Sequence, residues 1–201
     1  DLDDMTFVVP GIAALLLQTL ATVQAAIGIV RERELGTMEQ LLATPIRPIE
    51  LIVGKMIPRI LFTFADMLII ILLGTFWFGV PFNGNPWLFA WLALLFIIAS
   101  LGLGLLISTI SKTQRQAQQI TVVLMMLSML LTGFIYPLAP MPIGVRIVGN
   151  LIPLTYFIRI TRGIITKGVG LAFIWSDVIA LAVYALIMML SAAVTFKKRL
   201  D

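Results

Sequence analysis

Five long apolar stretches decide what this 201-residue chain can fold into. They cover residues 7–30, 60–80, 87–110, 120–136 and 178–196, and the only Asp, Glu, Lys or Arg within them is Asp66. A bilayer core about 30 Å thick is crossed by roughly 20 apolar residues in helical form. Backbone amides in lipid must pair within their own segment, so each stretch reads as a helix. Composition agrees. The chain is 60% hydrophobic and 12% charged, against about a quarter charged in soluble domains. The expected fold is an all-α integral membrane protein with five transmembrane helices.

The residue inventory narrows the chemistry. With no Cys and no His, disulfides, thiolate chemistry, His-based triads and the commonest metal ligand are excluded. An intramembrane enzyme needs a positioned acid–base pair, and Asp66 is alone in its span. No Gly-rich loop ending in Lys-Ser or Lys-Thr occurs, so any ATP would be bound by another polypeptide. We therefore expect no catalytic, cofactor-binding or metal-binding residue here. The net charge of +4 does not point to nucleic acid, because the basic residues sit between apolar runs.

Those basic residues set the expected orientation. Arg31, Arg33, Arg47, Lys55, Arg59, Lys112, Arg115, Lys197, Lys198 and Arg199 fall on one side if all five stretches span. Arg146, Arg159, Arg162 and Lys167 fall on the other, together with the acidic start Asp1-Leu2-Asp3-Asp4. Cytoplasmic connections carry the excess of Lys and Arg. The N-terminus is thus expected outside and the C-terminus in the cytoplasm. The acidic, non-Met start reads as the later part of a longer protein.

Two regions depart from simple spans. Residues 137–170 are apolar but broken by Pro140, Pro142 and Pro153 and by several glycines. They read as short helices that dip into the outer leaflet and return, or else as an interfacial loop. Residues 31–59 hold Thr37-Met38-Glu39-Gln40, a capping box in which Thr37 and Gln40 satisfy each other's backbone amides. Met38, Leu41 and Leu42 share a face. A helix this short needs a surface to dock on. Pro48 suits the first turn of the next helix, and Pro58 should kink it. A helix over 48–80 would be about 50 Å long, so its start should lie at the membrane surface. Ser100 and Gly104 would admit a close helix neighbour. Asp66 is either a substrate or proton contact, or a polar partner of Gln18, Thr22 or Gln24 on a neighbouring helix.

The run from Ile29 through Arg31-Glu32-Arg33-Glu34-Leu35-Gly36-Thr37-Met38-Glu39-Gln40-Leu41-Leu42 to Pro45 resembles a signature of the ABC type-2 permeases, closest to the bacterial multidrug-type branch. Phe7-Val8-Val9-Pro10-Gly11, Gly54-Lys55-Met56-Ile57-Pro58, Phe78-Gly79-Val80-Pro81, Pro153-Leu154-Thr155-Tyr156-Phe157 and Arg162-Gly163 continue it along nearly the whole chain. Asp66 departs from the uncharged residues expected in that span.

The resemblance implies a transmembrane domain over residues 1–201 that corresponds to spans two to six of a six-span permease. The first span and an extracytoplasmic domain of the family are missing. It implies export of substrate, such as drugs or lipophilic compounds, across a bacterial inner membrane, in a dimer with a second permease. A separate ATPase subunit would carry ATP and Mg. The short capped helix becomes a cytoplasmic coupling helix that docks on that ATPase. Arg31, Glu32, Glu34, Gly36, Thr37, Met38, Glu39, Gln40, Leu41 and Leu42 are its candidate coupling residues. Gln18, Asp66, Tyr136 and Tyr156 are candidates for the translocation path. The alternative is a membrane scaffold that docks a cytoplasmic partner without transport.

Overall fold

The computed structural model describes residues 2–36, 48–77, 79–134 and 140–197. Seven helices and no strands occur among them: α1 (Leu2–Glu34), α2 (Pro48–Phe76), α3 (Pro86–Ile110), α4 (Gln114–Leu131), α5 (Ile143–Asn150), α6 (Pro153–Ile165) and α7 (Leu171–Lys197). The chain is an all-α integral membrane protein. Val8–Glu34, Val53–Phe76, Pro86–Ile110 and Leu171–Ala192 are each long and apolar enough to cross a bilayer. The pair α5–α6, bent by 84°, adds a fifth if it counts as one broken span.

The helix ends follow local chemistry. Pro48 opens α2, which continues through Pro58. Val80 N–H reaches back to the Gly74 carbonyl at 3.1 Å, and Gly79 between them takes φ +63°. That left-handed residue is the usual helix stop, because glycine adopts it without a Cβ clash. Asn85 caps α3 by accepting from the Trp87 and Leu88 amides, and Pro86 fills the first helical position. Thr113 caps α4 through the Gln116 amide.

The stretch expected to span at 120–136 is resolved differently. Helix α4 starts six residues earlier, in the polar Gln114-Arg115-Gln116 turn, and ends at Leu131. The backbone then turns, with Gly133 at φ +81°. At 1.5 Å per residue its 18 residues rise about 27 Å, from the Gln114 contact with Glu34 to the turn that Arg162 holds. The Pro-broken region expected after residue 137 does form two short helices where it is described, α5 and α6.

Helix α1 is the centre of the bundle, packed by α2, α3, α4 and α6, while α3 also packs α7. Contacts give the directions. Thr22 pairs with Ser100 and Arg33 with Ser108 and Ser111, so α1 and α3 run side by side in the same sense. Val9 faces Gly74 and Glu32 faces Lys55, so α2 runs antiparallel to α1. Gln18 faces Ser128 and Glu34 faces Gln114, so α4 does too. The small residues expected to admit a neighbour do so. The Thr22 hydroxyl donates to the Ser100 carbonyl at 3.3 Å. A Cβ on Gly104 would collide with the Thr22 carbonyl and lie 2.7 Å from Ala25 Cβ. In lipid, such close backbone contact replaces the hydrophobic drive to pack. Lower down, Phe96 of α3 stacks on Phe157 of α6 at 4.0 Å between ring centroids.

Candidate functional site

The final turn of α1 carries Arg31-Glu32-Arg33-Glu34. Successive residues on a helix point about 100° apart, and this run uses that divergence to reach three other helices. Glu32 forms an ion pair with Lys55 of α2. Arg33 donates to the carbonyls of Ser108 (2.5 Å) and Ser111 (3.1 Å) at the end of α3. A cation suits that end, where carbonyls lack helical partners and the helix dipole is negative. Glu34 accepts from the Gln114 backbone amide at 3.0 Å and from its side-chain amide, at the start of α4. An anion there meets the positive end of the dipole. Arg31 is exposed.

Arg59, one turn beyond Lys55, strengthens the junction with α2. Its Nη1 donates to the Lys55 carbonyl at 3.2 Å. Its guanidinium reaches Gly28 of α1, where any Cβ would collide with Nη2 and sit 2.9 Å from Cζ. Gly28 is therefore the space that admits the guanidinium. Helix α1 closes immediately after the charged run. Gly36 takes φ +71° and its N–H reaches the Arg33 carbonyl at 3.2 Å. The segment 37–47 joins this closure to Pro48 along the sequence. Thr37, Met38, Glu39, Gln40, Leu41 and Leu42 lie outside the described residues, as does Tyr136.

Of the coupling candidates, Glu32 and Glu34 are thus brought into one network at the root of that segment, and Gly36 ends the helix. Arg33, Lys55 and Gln114 belong to the network but were not singled out from the sequence. Arg33 and Lys55 are part of the quoted motifs, whereas Gln114 lies 80 residues from Glu34 and gives no local signal.

The translocation candidates do not form a comparable unit. Gln18 is buried on α1 and donates to Ser128 Oγ of α4 at 3.0 Å, which leaves its Oε1 without a hydrogen bond among the described residues. Asp66 is half-buried on α2. The polar contact expected from it to Gln18, Thr22 or Gln24 is not formed, because Gln18 is taken by Ser128 and Thr22 by the Ser100 carbonyl. Tyr156 donates to the Asn150 carbonyl at 2.8 Å and so braces the α5–α6 bend.

At the other end of the bundle, main-chain carbonyls are the acceptors. Arg162 of α6 donates to the carbonyls of Gly133 (3.1 Å) and Phe134 (3.2 Å), just past α4. Asn83 closes the end of α6. Its backbone amide meets the Ile165 carbonyl and its side-chain amide the Thr166 carbonyl, both at 3.1 Å. Arg159 pairs with Asp177 of α7 at 3.2 Å.

The amino-acid sequence is matched in known proteins. Residues 2–166 match the ABC-2 type transporter family. The chain belongs to that family. The "Probable multidrug ABC transporter permease YbhS" of Escherichia coli K12 is 34% identical over 163 residues, which are 81% of this chain and 43% of the relative. The permease YbhR of the same organism is 30% identical over 177 residues, 88% of this chain and 48% of the relative. The "ABC transporter G family member 20" of Dictyostelium discoideum is 25% identical over 167 residues, 83% of this chain and 23% of the relative. The chain spans about half the length of the bacterial relatives it matches. In this ABC-2 chain the charged node and the α1–α4 bundle fall within the matched region, and α7 lies beyond it.

Proposed function

We propose that the chain is the transmembrane part of an ABC exporter permease in a bacterial inner membrane. A separate ATPase would drive it, and a second permease copy or homologue would complete the pathway. The exported substrate would be drug-like or lipophilic. The name of the YbhS relative, a multidrug permease, supports that class. In this reading the charged node faces the cytoplasm, as the basic connections suggest, and residues 38–43 form the coupling helix. Residues 1–201 would then correspond to spans two to six.

The observation that carries the proposal is the placement of the node. The ends of α1 and α2 that bracket the segment 37–47 are joined by Glu32 and Lys55. Arg33 and Glu34 extend the tie to α3 and α4. A push on the segment would therefore reach four helices at once. Repacking of helices between discrete arrangements is how such a push becomes alternating access. Gln18, Asp66, Tyr136 and Tyr156 remain the candidate contacts of the path, since polar groups within spans are costly and tend to serve function.

Leu41→Asp tests the proposal in the full-length protein, because it places a charge on the apolar docking face without a partner. We expect normal membrane insertion with loss of ATPase co-purification and of ATP-dependent efflux. Retention of both would remove the coupling assignment. ATPase binding by the unsubstituted protein without ATP-dependent flux would favour a scaffold.

A further inference from the structure

We propose that the crevice between α2 and α3, at the end of the bundle opposite the charged node, binds the acyl chain of a membrane phospholipid. The crevice has a volume of about 340 Å³ and a wall that is almost wholly apolar. Helix α2 contributes Leu68, Ile71, Leu72 and Phe76, and α3 contributes Phe89 and Ala90. From Leu68 to Phe76 the helix rises about 12 Å. One leaflet contributes half of a hydrocarbon core about 30 Å thick, so the crevice is close to the depth of a single leaflet.

The occupant follows from what surrounds the mouth. The chain's four tryptophans, Trp77, Trp87, Trp91 and Trp175, all lie at this end, just past α2 and on the first turns of α3 and α7. All are exposed, Trp77 and Trp87 to about four-fifths of their surface. Exposed tryptophans gathered at one level mark the membrane–water interface, where the ring sits among headgroups. Trp77 and Trp87 flank the mouth directly. The crevice thus opens at headgroup level and runs inward along Leu68 and Leu72, both exposed on the flank of α2. A groove with this mouth and depth matches a lipid tail whose headgroup stays at the tryptophan belt.

The inner wall marks where the tail would end. Met67, Ile71 and Phe89 are shared with a narrow slot that continues between α1 and α6. Thr161 lines that slot, is 2% exposed, and its hydroxyl has no hydrogen-bond partner among the described residues. Buried hydroxyls normally find one. The slot holds space for about one water, so the tail would stop at Ile71 and Phe89 and leave the hydroxyl to a water molecule. The inference does not rest on the transport reading, since a lipid site of this kind would serve a scaffold equally.

The test uses the full-length protein in nanodiscs of phosphatidylcholine that carries a photoreactive diazirine near the end of one acyl chain. Photolysis followed by peptide mass spectrometry should label residues 68–76 and 89–90 at least about fivefold above Leu186 and Ile187, which are comparably exposed apolar residues on α7. Ala90→Phe should fill the groove and lower that labelling about fivefold without changing labelling of α7. Leu72→Trp, on the rim, should act in the same direction and guards against a misfolded Ala90→Phe. Equal labelling of the two faces would overturn the proposal. So would a disulfide joining two copies through Leu72→Cys in the membrane, since it would show that protein covers the crevice.

Discussion

The two ends of the bundle are tied by different kinds of contact. At the charged node, one helical turn reaches three neighbours, through an ion pair with Lys55, main-chain carbonyls on α3 and the first amide of α4. Long, partly exposed side chains make these ties and can exchange partners. At the tryptophan end, beside the Arg159–Asp177 ion pair, the ties rest on main-chain groups held in close register. Asn83 closes α6, Arg162 holds the turn after α4, and Gly84 lies against the Ile164 backbone. The first kind of joint can be remade after a movement. The second depends on backbone position and fails when that position is lost. A machine that takes a push at one end and must keep its shape at the other is served by this division.

Substitutions can break this contrast. The largest effect is expected at Gly84→Val. Its Cβ would lie 2.5 Å from the Ile164 carbonyl oxygen, and backbone cannot yield as a side chain can. The cost should be about 3 kcal/mol, the upper part of the range for overpacking, read as a fall in thermal stability in detergent. Arg162→Leu should follow at about 2 kcal/mol, since it removes a charged donor from two carbonyls in a part-buried setting. No second-site charge at position 133 or 134 should rescue it, because its acceptors are main chain.

Asn85→Ala should cost about 1 kcal/mol through loss of the α3 cap. The smallest effect on stability is expected at the node. Glu32→Lys should cost about 1 kcal/mol or less, as both partners are partly exposed and such pairs are worth little. Its signature is rescue. Glu32→Lys with Lys55→Glu should recover stability and, in the full-length protein, ATP-dependent transport. A double swap no better than either single change would show that the two ends do not differ in the way described.

Much of this architecture was legible in the sequence. Helix α3 needed only its apolar run, 87–110. The Pro48 start of α2 and the close approach at Ser100 and Gly104 were also readable, because each rests on a local rule. The extent of α4 was not. Hydropathy follows side chains, and the apolar stretch runs on through the turn at Gly133, where the backbone leaves the helix. Nor was it readable that Gln18 would turn away from Asp66. The rotation of α1 about its axis is set by packing on α3, and that rotation sends Gln18 towards Ser128 of α4. The charged run at 31–34 was recognised as a motif, but its three destinations lie 23 to 80 residues away. Such pairings are created by the fold and leave no trace in spacing.

The meeting of Gly104 with the Thr22 carbonyl carries a consequence for movement. There the two central helices touch with no side chain between them. A slip of one residue would bring Leu103 or Leu105 into a gap that cannot hold even a methyl group. The α1–α3 pair is therefore indexed, like a keyed shaft, and cannot glide along its own length. Whatever rearrangement the protein undergoes must carry these two helices together and find its freedom at helices such as α2, which packs far less closely on either of them than they pack on each other.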